Sequence, residues 1–160
     1  MRSEPAERID PRALRVWIIN GTIKTIVLAV VLGISAAVAL MVFHWPGWVP
    51  VIPAVIVLLY GTLEIGVLPE LRWKYWRYEV SEEEVDLQRG IWLLKRTLLP
   101  LARVQHVDTR QGLIMRRYGL ASVAISTAAG VHEIPALSVE VADELRDKIS
   151  RLARTYENEL

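Results

Sequence analysis

Three histidines, His44, His106 and His132, are the side chains best suited to metal or acid–base chemistry in this chain. None lies in an HExxH pattern or at ligand spacing from another, and there is no cysteine to join them, so neither a metal nor another cofactor is expected. His106 and Asp108 would share one face of a strand and, with a serine, imitate a hydrolytic triad. Only their Cβ directions speak for it, and no catalytic residue is expected. Glu64 stands near the end of a long uncharged run, where a carboxylate reaches headgroup water or protonates; a functional intramembrane acid is the alternative. The basic residues are better candidates. Arg72, Lys74 and Arg77 follow the uncharged run directly, and Arg116 and Arg117 form a second group, each able to meet an acidic headgroup or an acidic partner surface. A cation near an anionic membrane contributes about 1 kcal/mol, enough for a few of them to orient a domain. From Glu70 to Leu160 basic and acidic residues number 14 each, and the whole chain carries a net charge of +1, so no basic field exists for nucleic acid and no nucleic-acid partner is expected.

What must position these residues is unusual in its charge distribution. Of 160 residues 52% are apolar and 23% charged, yet from Thr25 to Leu63 there is no Asp, Glu, Lys or Arg. A helix rising about 1.5 Å per residue needs roughly 20 apolar residues to cross about 30 Å of hydrocarbon. The 39 uncharged residues suffice for two spans. Thr25 to Phe43 reads as the first, Val51 to Leu68 as the second, and His44-Trp45-Pro46-Gly47-Trp48-Val49-Pro50 as a turn with interfacial tryptophans. Pro53 is tolerable in the first turn of the second helix. Arg2, Arg8, Arg12, Arg15 and Lys24 precede the hairpin, Arg72, Lys74 and Arg77 follow it, and the turn has none, so both termini are expected in the cytoplasm. A cleaved signal peptide ending near Ala37-Val38-Ala39 is disfavoured by the apolar run beyond the cut and by Glu4, Glu7 and Asp10 before it. Asp10 and Pro11 cap a helix starting at the cytoplasmic interface. Ala29, Gly33 and Ala37 recur every four residues, a strip that lets another helix approach closely, whether the second span or a separate membrane protein.

After Glu70 the texture becomes short and β-rich. Arg72 to Val80, with Trp73, Tyr75, Trp76 and Tyr78, reads as a first strand, followed by a turn at Ser81-Glu82-Glu83 and a strand around Val85 and Leu87. Gly90 separates this from a strand over Ile91 to Leu99, which Pro100 ends. Further strands fit Ala102 to Gln111, Ala121 to Ala128 and Val131 to Pro135, with a short segment over Leu113 to Tyr118. Val141, Leu145, Ile149, Leu152 and Tyr156 then form the apolar stripe of a closing helix, with Ser138 as its N-cap. Three regions result: residues 1–24, a cytoplasmic N-terminal segment with an interfacial helix; 25–68, a two-span hairpin; and 69–160, a cytoplasmic domain.

The stretches Tyr78-Glu79-Val80-Ser81, Val85-Asp86-Leu87-Gln88-Arg89-Gly90, Leu99-Pro100-Leu101-Ala102-Arg103-Val104-Gln105-His106-Val107, Gln111-Gly112-Leu113, Arg116-Arg117-Tyr118-Gly119-Leu120 and Val123-Ala124-Ile125-Ser126-Thr127-Ala128-Ala129-Gly130 resemble the bacterial pleckstrin-homology-like domain of the YdbS-like membrane proteins. The likeness covers about residues 70 to 155, and the preceding hairpin fits it as well. It implies an α+β membrane protein: a two-helix transmembrane hairpin followed by a pleckstrin-homology-like β barrel or sheet with a C-terminal capping helix, held at the inner face of a bacterial plasma membrane. It also implies a larger membrane protein with repeated domains of the same kind as a partner, and no catalytic residues. The expected function is a non-enzymatic interaction or scaffolding module that assembles with such a protein or with itself; the alternative is a sensor of anionic lipid headgroups.

Overall fold

The structure, a computed structural model, describes residues 4–158 and divides into two compact units. One comprises residues 14–71, and the other joins the described residues up to Ala13 to those from Arg72 onward.

The apolar run forms helix α1 (Ala13–Phe43), then a turn, then α2 (Val51–Gly61), a π-helical stretch over Thr62–Val67 and α3 (Leu68–Tyr75). Both helical stretches, 31 residues and 25 residues, are long and apolar enough to cross a membrane. In the turn, Val49 N–H donates to Pro46 O and Val51 N–H to Trp48 O, and His44 takes a positive φ of 52°. The close approach between the helices is made by glycines. A Cβ on Gly21 would lie 2.6 Å from the Glu64 carbonyl oxygen, and one on Gly61 would lie 3.0 Å from Thr25 Cγ2. Glycine lets backbone meet backbone at position 21 and lets the Thr25 side chain seat against the backbone at position 61, where apolar lipid tails supply no hydrophobic drive.

In the other unit, β1 (Glu7–Arg8), β2 (Arg77–Val80), β3 (Glu84–Arg89) and β4 (Lys95–Pro100) form an antiparallel sheet in that order. A 3-10 turn over Leu101–Arg103 leads to β5 (Val104–Arg110), helix α4 (Leu113–Arg117), β6 (Leu120–Thr127) and β7 (Gly130–Ser138), with β5, β6 and β7 making a second antiparallel sheet. Helix α5 (Val139–Asn158) closes the unit. Val85, Leu87 and Leu99 of the first sheet, Leu120, Val123, Ile125, Ile134 and Leu137 of the second, and Ala142, Leu145 and Ile149 of α5 are all buried. Ser138 Oγ accepts from Val141 N–H, as an N-cap should. On α5, Leu145 and Ile149 are buried as the expected stripe has them, but Ala142 and not Val141 supplies its first buried position.

Three strand boundaries differ from expectation. Residues 72–75 are helical, because the second apolar helix continues through them; the Trp73 indole N–H donates to Ile9 O at 3.2 Å, a tertiary contact that outweighs local β propensity. Residues 91–94 are a loop, since Gly90 turns the chain with φ 115°. Pro135 does not end β7. The strand runs on through an irregularity opposite Ala121 and Val123, where Ala136 has φ 50° and its carbonyl accepts from Asp10 N–H at 3.1 Å.

The N-terminal segment is tied in by more than that bond. Glu7 pairs with Tyr78 and Arg8 with Arg77. Burial, reinforced by a hydrogen bond to the Glu7 carboxylate, pushes the Tyr78 hydroxyl up. Asp10 accepts from the Arg12 backbone N–H and side chain, which holds its carboxyl below the usual range, and Arg12 Nη1 donates onward to Tyr118 O at 3.1 Å.

Candidate functional site

Within the hairpin, the strip of small residues lines an open groove. Ala29, Gly33, Ala36 and Ala37 face Pro53, Ala54 and Val57 across a volume of about 570 Å³. Where the Cβ of Gly33 would stand there is nothing within 4 Å, in contrast to Gly21 and Gly61. The two helices therefore touch at Gly21, Thr25, Gly61 and Glu64 and leave the Ala29–Ala37 strip uncovered between them. The signal for the tight contact lay in two isolated glycines, one on α1 and one on α2, which belong to no repeating strip.

Glu64 sits at this contact, in the π-helical stretch, with its side chain only 13% exposed and Oε2 4.0 Å from Lys24 Nζ. A π turn carries an extra residue and is frequent where a helix is shaped for a task. Here it sets the Glu64 backbone against Gly21.

The basic candidates are dispersed. Arg72 and Lys74 lie in the last turn of α3 and Arg77 on β2, so the expected alternation of the three along one strand is not made. Lys74 Nζ stands 6.0 Å from the Tyr75 ring, and Arg77 Nη2 is 3.4 Å from Glu4 Oε2. Arg116 and Arg117 are exposed in the last turn of α4, where cations complement the helix carbonyls. Of the residues counted for orientation, Arg2 lies outside the described residues, Arg8 stacks over Trp73 at 5.7 Å and Arg12 is engaged by Asp10.

A second cavity, of about 610 Å³, lies between β5 and α5. His106 and Asp108 line it together with Ser150. Among the described residues no hydrogen bond links the three. Alternation along β5 places the first two on one face, while Ser150 comes from a helix whose position the sequence does not give.

The arrangement that the sequence hid most completely is at residues 91–94. Trp92 is 95% exposed, Leu93 81% and Leu94 54%. Arg89 and Lys95 stand directly opposite each other at the base of this loop, and His132 is near both.

An apolar helical hairpin and a separate unit of two antiparallel sheets with a capping helix define an α+β membrane protein with a pleckstrin-homology-like domain. The sequence pattern of the bacterial PH domain matches residues 16–153, and the chain belongs to that family. It is 46% identical over its full length to the UPF0699 transmembrane protein YdbS of Bacillus subtilis (strain 168), which is also covered in full. A second relative, the UPF0699 transmembrane protein YdbT of the same organism, is 28% identical over 113 residues, which is 63% of this chain and 23% of that protein. No solved structure matches significantly.

Proposed function

We propose that the protein is a non-enzymatic, membrane-anchored assembly module whose hairpin receives a transmembrane helix of another membrane protein in the groove along Ala29, Gly33 and Ala37. The observation that carries this reading is that groove: a strip of small residues faces the second span without being covered by it. Small residues let a partner backbone approach closely, so that dispersion and weak Cα–H contacts hold the pair in lipid. The similarity of this chain to about a quarter of a longer transmembrane protein favours a partner bearing related domains. The PH-like domain then lies in the cytoplasm of a bacterium, at the plasma membrane. The flanking arginines and lysines support that side, and the joining of the described N-terminal residues to the C-terminal part in one unit supports both ends being on it.

The chain has no cysteine, so Ala37→Cys introduces a unique thiol for crosslinking in native membranes. The expected result is an adduct with a second membrane protein, lost when Gly33→Leu fills the groove. A strictly monomeric protein with no adduct in native membranes rejects the reading.

A further inference from the structure

Trp92, Leu93 and Leu94 form a contiguous apolar tip that no other described part of the chain covers, and large apolar side chains gathered on a surface mark a contact site. The tip is built and not slack. Gly90 holds φ 115°, and a Cβ there would lie 2.0 Å from the Leu93 carbonyl oxygen, so the backbone closes tightly under the exposed side chains. Its base is cationic. Arg89 and Lys95 are direct cross-strand partners, and like charges directly opposite are destabilising. Neither has an ion-pair partner among the described residues, and both press on His132, whose Nδ1 is buried without a hydrogen-bond partner among those residues. The strand register completes the picture. Arg77 pairs with Gln88, so β3 runs back toward the start of β2, and the loop leaves the sheet at the end where β2 begins. The turn at 81–83 is at the other end of β3.

We infer that loop 91–94 is a membrane-contacting element: Trp92 and Leu93 enter the interfacial layer of an anionic bilayer while Arg89 and Lys95 meet its phosphates. Tryptophan favours that layer, where its ring is half in hydrocarbon and its N–H remains wet. Anionic lipid supplies the charge that the Arg89–Lys95 pair lacks. This contact is independent of the intramembrane groove and uses none of Arg72, Lys74, Arg77, Arg116 or Arg117.

Because the chain lacks cysteine, Leu93→Cys in the full-length protein gives a single site for an environment-sensitive fluorophore, with Glu82→Cys in the exposed turn at the opposite end of β3 as the reference. Each is reconstituted at one copy per nanodisc, in phosphatidylcholine with or without phosphatidylglycerol. In anionic discs the label at position 93 should be blue-shifted, several-fold less accessible to iodide than the label at position 82, and quenched by nitroxide lipid. Adding Arg89→Gln and Lys95→Gln should return it toward the reference. Equal iodide access at the two positions overturns the inference, as does shielding that appears only in discs with two copies, which would assign the tip to contact between chains. Shielding unaffected by lipid charge and by the double substitution overturns the role of Arg89 and Lys95.

Discussion

His132 shows how a single side chain reports its surroundings. Burial, then the charges of Arg89 and Lys95, push its imidazole below the ordinary value of 6.5. The folded state thus prefers the neutral ring, and the unfolded chain binds the proton more tightly. Its contribution to stability is complete above pH 6.5 and is lost as pH falls through the lower folded value. Thermal unfolding of the detergent-solubilised protein should show a midpoint that declines with acidification over that window. His132→Gln should flatten the decline, and an unchanged pH profile in that variant would assign it to other groups. Asp86 is a different case. It is buried on β3, and the Arg96 guanidinium on β4 donates to both its oxygens at 2.8 and 3.0 Å, which satisfies a carboxylate that would otherwise be costly to desolvate.

At the scale of elements, the hairpin depends on two glycines more than on its strip of small residues. Gly21→Leu must displace the backbone of the π-helical stretch, because its Cβ already lies 2.6 Å from the Glu64 carbonyl oxygen. Overpacking of this kind costs about 1–3 kcal/mol. Increased protease cleavage of the Gly21→Leu hairpin in detergent, with Gly33→Ala unaffected, is the expected outcome; equal behaviour of the two variants would contradict the contact. The spans themselves were legible in the sequence because lipid imposes a long uncharged run, and so was α5, whose Leu145 and Ile149 keep a helical period. The strands around Val85 and Val123 were legible from a different pattern, short β-rich segments with apolar residues at a period of two, bounded by turns. What escaped was set by distant parts of the chain. Trp73 is helical with an indole bonded to Ile9, β1 is only two residues long, and β7 passes Pro135 by means of an irregularity that depends on Ala136. The regular spacing of Ala29, Gly33 and Ala37, which line the groove, could be read from the sequence. The tip at Trp92 could not, because an apolar run after a glycine reads equally well as a strand.

For the molecule as a whole, the PH-like unit is discontinuous in sequence. Ile9 is 1% exposed and β1 extends the first sheet, so a fragment beginning at Glu70 lacks a buried side chain and an edge strand. Burial of an isoleucine contributes about 1.5–3 kcal/mol. Such a fragment should unfold at lower denaturant than one in which residues 1–13 are restored by fusion, as measured by circular dichroism; identical midpoints would show that the N-terminal segment adds nothing. The same discontinuity imposes an order on biosynthesis. A ribosome makes Glu7 and Arg8 before either membrane helix, and their partners Tyr78 and Arg77 only after both. The first strand of the nascent chain must wait, unpaired, while the hairpin is inserted, so closure of the sheet becomes a checkpoint that only a correctly threaded hairpin can pass.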